Sequence, residues 1–236
     1  MPSAGGGVRE RSVVRPCFGL AMKYRLIVFD WDGTVIDSPG AIVECMQEAS
    51  RDLGLPVPEP ERASHVIGLG LHDAMKLVAP GLPGERYPEF IAAYRRHFLA
   101  REDTMRLFAG MQALLERLSL ERSLAIATGK SRKGLERSLE ATGVRRLFAA
   151  SRCADETTPK PHPAMLLELM RELNAEPGGV LMIGDTSHDM EMARAAGVDG
   201  LAVTYGAHPE HELRSCGPRG CVASVAELDR WLSRHG

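Results

Sequence analysis

The sequence predicts an α/β fold in which helices cover both faces of a parallel sheet, with an all-helical segment inserted near the start. Two observations carry this prediction. From residue 105 onward, short apolar runs alternate with helical patterns, which is typical of parallel strands joined by covering helices. Between residues 39 and 101 the pattern is helical, and no convincing strand occurs there.

The first strand is predicted at Leu26–Phe29, an apolar run that leads directly into Asp30, Trp31, Asp32 and Gly33. Glycine breaks the strand, so two carboxylates stand where the chain turns. Two carboxylates about 4 Å apart repel each other by roughly 4 kcal/mol at an effective dielectric constant of 20. A bound cation or a catalytic role explains why a chain keeps such a pair. On this pair alone, an Asp-rich turn explains it equally well.

Three helices are predicted in the inserted segment. The first covers residues 42–53, where apolar residues recur every three or four positions, and it ends at Gly54. A proline-rich connector at 56–60, a weak helix at 71–78 and a third helix around 90–98 follow. Residues 65–72 form a glycine-punctuated loop between the helices.

The remaining elements are predicted to alternate. Strands are expected at 125–128, 147–151, 180–184 and 200–204, the last being the final core strand, and helices at 111–118, 135–139, 166–173, 190–196 and 224–234. Open parallel sheets bind ligands at the carboxyl ends of their strands. Asp30, Thr128 and Asp185 each follow or end such a strand, so we expect these three side chains to meet in one crevice.

Four segments occur in a fixed order along the chain. They are Asp30-Trp31-Asp32-Gly33-Thr34, then Thr128-Gly129, then Lys160-Pro161, and finally Gly184-Asp185 with Asp189. This set resembles the haloacid dehalogenase-like (HAD) superfamily, whose motifs run Asp-x-Asp-Gly-Thr, Thr or Ser, Lys, and Gly-Asp-x-x-x-Asp. The helical insert between the first and second core strands is similar to that of the phosphoglycolate phosphatase group, which carries a helical cap there.

The resemblance implies a domain organisation. Residues 22–38 and 103–236 would form a Rossmann-like catalytic core, and residues 39–102 an inserted helical cap domain. Residues 1–21, with Gly5-Gly6-Gly7 and scattered arginines, are expected to be a disordered leader.

The resemblance also implies a role for each motif residue. Asp30 would be the nucleophile that forms an aspartyl-phosphate, and Asp32 the general acid and base. Mg²⁺ would be held by Asp30, the backbone carbonyl of Asp32, and Asp185, because hard cations prefer oxygen ligands. Asp189 would orient Lys160 or a metal-bound water.

The phosphoryl group would be held by three further residues of the motifs. The Thr128 hydroxyl and the Gly129 N–H would bind its oxygens, while Lys160 would neutralise charge on Asp30 and the phosphoryl oxygens. Taken singly, these residues have simpler interpretations: Lys160 as a solvated surface charge, Thr128 as a turn or cap, and Asp189 as the N-cap of the helix after it.

Substrate selectivity has weaker candidates. Lys130 and Arg132 follow the phosphate-binding segment and are expected either to meet a second anionic group or to form an exposed helix start. The loop Gly68-Leu69-Gly70 is expected to face the active site. A further group, His208, His211, Cys216 and Cys221, fits no common zinc spacing, and a solvated loop is predicted there instead.

The function expected from this resemblance is a Mg²⁺-dependent phosphatase that hydrolyses a small, phosphoglycolate-like phosphomonoester. The alternative is a phosphosugar mutase of the β-phosphoglucomutase type. The 29 basic and 31 acidic residues leave a net charge of −2, so neither nucleic acid nor membrane is an expected partner. A small phosphorylated metabolite is the expected partner of a monomer or weak homodimer. Five scattered cysteines indicate a reducing, cytoplasmic location.

Overall fold

A computed structural model describes residues 23–236, and its centre is a six-stranded sheet in which every strand is parallel to its neighbours. In chain order its strands are β1 (Leu26–Phe29), β4 (Ser123–Thr128), β5 (Ala150–Cys153), β6 (Val180–Gly184), β7 (Asp199–Val203) and β8 (Cys221–Val222). Across the sheet the order is β5-β4-β1-β6-β7-β8. The remaining strands, β2 (Ile36–Asp37) and β3 (Arg106–Leu107), form a small antiparallel pair.

Four helices lie between β2 and β3: α1 (Pro39–Asp52), α2 (Pro60–His65), α3 (Leu71–Val78) and α4 (Tyr87–Arg101). They occupy the stretch that the sequence assigns to the cap, although the division of the chain into two domains stays a prediction. The proposed leader at residues 1–21 lies outside the described residues.

The other helices cover the two faces of the sheet: α5 (Met111–Ser119), α6 (Arg132–Thr142), α7 (Ala164–Glu172), α8 (Ser187–Ala195), α9 (Glu210–Ser215) and α10 (Val225–His235). Alternate residues of β1 point to opposite faces, as a pleated strand requires. Ile27 and Phe29 pack in the cluster that contains the apolar faces of α5, α6 and α10, whereas Leu26 and Val28 pack with α7 and α8. The predicted α/β fold, a parallel sheet covered on both faces, is confirmed.

Several predicted elements need correction. The strand expected at 147–151 is β5 at Ala150–Cys153, because residues 145–147 form a single 3₁₀ turn. The strand at 200–204 is not the last, since β8 adds a sixth strand after it. Helix α9 stands where a loop was expected, and α2 occupies residues 60–65, between the predicted connector and the predicted loop, where no element was predicted. Each missed element has two to six residues, which is too short to show an apolar period.

No helix among residues 23–236 combines the length and the apolar character needed to cross a membrane.

Candidate active site

The register of the sheet brings the motif residues together. Phe29 lies opposite Ile126 on one side and Ile183 on the other, so β1, β4 and β6 end at the same edge. The next residue, Asp30, donates its backbone N–H to the carbonyl of Ile183 at 2.8 Å. The crevice predicted from the strand ends is therefore present.

A buried group of charges occupies this edge. The carboxylates of Asp30, Asp185 and Asp189 have oxygens within 4.8 Å of one another, and all three residues are at most 1% exposed. Lys160 lies among them, with its Nζ 2.6 Å from Asp30 Oδ1 and 2.7 Å from Asp189 Oδ1. Its side chain is fully buried, so the interpretation of Lys160 as a surface charge is wrong.

The charges of this group do not balance, since three carboxylates face a single ammonium. Burial raises the pKa of Asp30 well above its usual range, against the opposing charge of Lys160. Burial and the nearby Asp189 likewise raise the pKa of Asp185 to about 7. Burial disfavours the charged form of Lys160, but Asp189 and Asp30 outweigh it and raise its pKa. A divalent cation would supply the missing positive charge.

The donor set fits such a cation. Oδ2 of Asp30 is buried and, within residues 23–236, has no hydrogen-bond partner, which is costly unless a ligand meets it. Carboxylate oxygens are the ligands that Mg²⁺ prefers. The oxygens of Asp30 and Asp185, the two carboxylates that the family resemblance assigns to a metal, therefore suit a divalent cation.

Asp185 is held in place from two directions. The Thr34 hydroxyl donates to its Oδ1 and the Ala207 N–H donates to its Oδ2, both at 2.7 Å. A Cβ atom at Gly33 or at Gly206 would collide with this carboxylate. Gly33 also has a φ of +84°, which side chains with a Cβ rarely adopt. The sequence motif contains Thr34 and Gly33, but nothing in it indicated the contribution of residues 206–207.

Asp189 does two things at once. Its Oδ2 accepts the N–H of Thr186 at 3.1 Å and the hydroxyl of Thr186 at 2.7 Å, while its Oδ1 faces Lys160. The N-cap of α8 is Thr186, and Asp189 completes a capping box as the third helical residue. The suggestion that Asp189 is itself the N-cap is thus wrong, whereas its place beside Lys160 agrees with the predicted orienting role.

Asp32 faces a cavity and not the buried carboxylates. Its Oδ1 accepts the Ser38 hydroxyl at 2.7 Å, and Lys130 Nζ lies 2.9 and 3.0 Å from its two oxygens. The same ammonium lies 4.6 Å from the centre of the Phe98 ring on α4. The assignment of the Asp32 backbone carbonyl to the cation stays a prediction. Ser38 was missed, because a serine before a proline-started helix reads as an N-cap.

The cavity has a volume of about 780 Å³ and lies between the helical insert and the strand ends. Its polar floor includes Asp30, Asp32, Thr128 and Gly129. The loop Gly68-Leu69-Gly70 lines it, where the sequence places it. A Cβ at Gly129 would lie 2.5 Å from the carbonyl oxygens of Gly68 and of Leu69, so the loop presses directly on the predicted phosphate-binding segment.

The two basic candidates separate. Lys130 lines the cavity, but Arg132 turns away and binds Glu156, with its Nη2 2.7 Å from Oε2. Sequence reasoning overlooked three other cations on the wall, Arg95, Lys133 and Arg137. Arg137 is paired with Glu102, whereas Arg95 and Lys133 have no carboxylate partner among the described residues. For Lys133, the sequence signal was its position on α6, since helical spacing brings it to the side of α6 that faces the cavity.

The loop predicted around His208 is also different from expectation. His208 is only 2% exposed, and its backbone N–H donates to the backbone carbonyl of Asp185 at 3.2 Å. Residues that follow it form α9, which no apolar pattern announced. The prediction of a solvated loop is wrong for His208, while His211 is exposed as expected.

The fold and the site together define an α/β protein with an aspartate-rich centre at the carboxyl edge of a parallel sheet. A family model described as "Haloacid dehalogenase-like hydrolase" matches residues 27–203. The chain belongs to that family. The prediction of the superfamily and of its phosphoglycolate phosphatase-like group is confirmed, and the chain is a hydrolase of the phosphatase class.

Individual relatives agree with this assignment. The chain is 34% identical over 211 residues to "Probable phosphatase IndB" of Dickeya dadantii, covering 86% of this chain and 91% of that protein. It is 31% identical over 219 residues to a phosphoglycolate phosphatase of Chromobacterium violaceum, covering 86% and 94%. A third relative, "Tyrosine-protein kinase PtkA" of Mycobacterium tuberculosis, is 35% identical over 185 residues, and the match spans 77% of this chain but only 62% of that longer protein.

Solved structures share the fold. A haloacid dehalogenase-like family hydrolase, SP0104 from Streptococcus pneumoniae, superposes with a TM-score of 0.76 at 25% identity. The match covers 88% of this chain and 98% of that one.

Proposed function

We propose that this chain is a Mg²⁺-dependent phosphatase that hydrolyses a small phosphomonoester through an aspartyl-phosphate on Asp30. The observation that carries the proposal is the buried Asp30 carboxylate at the floor of a cavity that also contains Asp32. One of its oxygens lies beside Lys160, and the other has no hydrogen-bond partner in the part of the chain that the structure describes. When bound, the cation supplies a Lewis acid for the phosphoryl oxygens.

The residues of this chain would divide the reaction into two displacements. In the first, an Asp30 oxygen forms a bond to phosphorus, and the bond from phosphorus to the leaving oxygen breaks. Asp32 in its acid form gives that oxygen a proton. In the second, Asp32 takes a proton from water, the water oxygen bonds to phosphorus, and the bond to Asp30 breaks to release phosphate. Lys160 would offset charge on the phosphoryl group throughout, since phosphoryl transfer depends chiefly on positioning and charge.

The substrate proposed is phosphoglycolate-like, with a second anionic group besides the phosphate. Arg95 and Lys133 on the cavity wall, which have no carboxylate partner within residues 23–236, support this, together with Lys130, which reaches the same space. The name of the Chromobacterium violaceum relative points in the same direction. We assign selectivity to Lys130 and to the loop Gly68-Leu69-Gly70, because both contact the cavity beside the predicted phosphate site.

A substrate panel tests this function. Full-length protein with Mg²⁺ should release inorganic phosphate from one or a few phosphorylated metabolites, and 2-phosphoglycolate is the first to try.

Leu69→Ala should change the ranking of substrates while hydrolysis of p-nitrophenyl phosphate persists. Asp32→Asn should instead depress all natural substrates by about 10²–10⁴-fold, because the proton donor is lost. Transfer of the phosphoryl group between two positions of a phosphosugar, without phosphate release, would favour the mutase alternative instead.

We further propose that the helical insert opens to admit substrate and closes to exclude water, with hinges near residues 37–39 and 101–104. Gly129→Ala should hold the insert open, because the added methyl group would collide with the carbonyl oxygens of Gly68 and Leu69 where the loop lies against Gly129. A misplacement of the reacting groups by about 1 Å costs roughly 10²-fold in turnover, and we expect a loss of that order in Gly129→Ala.

The matched control for this variant is Gly81→Ala, which lies in the insert with open space around it. Steady-state rates measure the effect, and small-angle scattering should show a larger radius of gyration for Gly129→Ala alone. Normal turnover and an unchanged radius in Gly129→Ala would contradict closure of the loop onto Gly129.

A further inference from the structure

Three side chains that can bind a metal meet where the helical insert touches the core. They are separate from the buried carboxylates of Asp30, Asp185 and Asp189, which we call the acidic centre. They are His65 at the end of α2, His208 after β7, and Glu212 on α9, with candidate ligand atoms within 4.8 Å of one another. Glu212 Oε1 lies 3.1 Å from His208 Nδ1 and 3.5 Å from His65 Nδ1. We infer that this group is a second cation site, selective for a transition-metal ion such as Zn²⁺, that joins the insert to the core.

His208 is oriented as a ligating histidine is. Its Nε2 lies 3.1 Å from the carbonyl oxygen of His65. A carbonyl only accepts hydrogen bonds, so Nε2 carries the ring proton and Nδ1 keeps its lone pair. Histidines that bind metals commonly donate their other ring N–H to a backbone carbonyl in this way, which fixes the tautomer and the ring orientation. The lone pair on Nδ1 now accepts the N–H of Ser187 at 3.1 Å, and a bound cation would take that place.

The other two ligands complement this one. Glu212 is held by the Ser187 hydroxyl, which donates to its Oε1 at 2.8 Å. The His65 side chain is 55% exposed and stacks on the His208 ring with centroids 4.8 Å apart. Because it is exposed, His65 is free to rotate its Nδ1 toward a cation that His208 and Glu212 already hold. The site thus has two ordered ligands and one adjustable ligand.

The ligand chemistry selects the metal class. Two imidazoles and one carboxylate form a zinc ligand set, with the fourth tetrahedral position left to water. Mg²⁺ prefers oxygen ligands and would remain in the acidic centre.

The position of the group gives the inferred site a consequence. Ser64 already donates its hydroxyl to the Ala207 carbonyl at 2.7 Å, and His188 Nε2 lies 3.0 Å from the His65 carbonyl oxygen. The insert is therefore tied to the core by these contacts at the same place. A metal shared by His65, His208 and Glu212 would strengthen this link and resist separation of the two parts. If the proposed opening and closing is correct, Zn²⁺ bound here would also slow turnover.

Direct binding measurements test the site without relying on activity. Zn²⁺ is titrated into the full-length protein with saturating Mg²⁺, in competition with a chromophoric chelator, and Co²⁺ is titrated separately to record its visible absorption. The variants are His65→Ala and Glu212→Gln, and the control is His211→Ala, an exposed histidine on the same helix as Glu212. Zn²⁺ that enters the acidic centre contributes equally to all four proteins, so differences between them report the second site.

We expect wild type and His211→Ala to bind one more Zn²⁺ than the two ligand variants, or to bind it at least about 10-fold more tightly, with tetrahedral Co²⁺ bands only in the former pair. Thermal unfolding without added metal should be the same for wild type and His65→Ala, since that side chain is exposed. Equal binding by all four proteins would overturn the inference. Equal weakening by His211→Ala would also overturn it, because the binding would then come from scattered surface histidines.

Discussion

Asp30→Asn is expected to abolish turnover while leaving the fold intact. Asparagine keeps the shape of the side chain but cannot form the acyl-phosphate, and loss of a nucleophile costs on the order of 10⁴–10⁶-fold in kcat. Lys160 would still have Asp189 at 2.7 Å, so no buried charge is left without a partner. The variant should unfold at no lower temperature than wild type, because burial already opposes the charged form of Asp30.

Phosphate release and thermal unfolding, measured side by side, check this expectation. Beryllofluoride, an acyl-phosphate mimic, should protect wild type against unfolding when Mg²⁺ is present, and should have no effect on the variant. Asp229→Asn is the control, since that aspartate lies on α10, has a side chain that is 47% exposed, and is outside the cavity. Turnover close to wild type in Asp30→Asn would remove the covalent mechanism from consideration.

Removal of the divalent cation is expected to have an effect of similar size. EDTA should stop phosphate release and Mg²⁺ should restore it, because within residues 23–236 the three buried carboxylates of the metal-free centre face a single lysine. Asp185→Asn separates this effect from damage to the fold. The asparagine amide can accept the N–H of Ala207 through its oxygen and donate to the Thr34 hydroxyl through its nitrogen, so both hydrogen bonds persist.

What Asp185→Asn loses is a charged metal ligand. We expect the Mg²⁺ concentration needed for half-maximal activity to rise more than about 10-fold, since even partners behind the ligands change metal affinity by that much. The maximal rate should fall by roughly 10²-fold or more, which corresponds to a few kcal/mol of Lewis-acid stabilisation. Mg²⁺ titrations of wild type, Asp185→Asn and the Asp229→Asn control measure both quantities. Full activity in a chelator-treated preparation would show that the cation assignment is wrong.

The motif residues illustrate how far local sequence reaches. Asp30 and Asp185 directly follow buried strands, and because parallel strands end at a common edge, their meeting could be predicted without coordinates. Asp189 and Lys160 were also identified, but only the structure places the lysine between two carboxylates with no exposed side-chain surface. Burial of a charge depends on everything packed around it, which no spacing along the chain encodes.

Other parts of the site depend on segments that are distant in sequence. Gly206 and Ala207 lie 21 and 22 residues after Asp185, in a loop that carries no motif. Gly206 leaves room for the Asp185 carboxylate, and the backbone N–H of Ala207 donates to it. His208 looked like a solvated residue because its neighbours are polar, yet it is buried against the Asp185 segment and the end of α2. Lys130 and Arg132 are two residues apart in the sequence, yet Lys130 pairs with Asp32 whereas Arg132 pairs with Glu156. Only the tertiary structure shows that the two side chains point in different directions.

The sequence by itself therefore determined the α/β class, the helical insert and the four motifs with their order. Each of these depends on periodicity or on residues adjacent to a strand end, which are local properties of the chain. The tertiary structure alone decided which cations face the cavity, how the loop at residues 68–70 meets Gly129, and that His65, His208 and Glu212 form a group. Those features depend on contacts between segments that are distant along the chain, such as Gly129 with residues 68–69 and His65 with His208, where packing and not local preference sets the geometry.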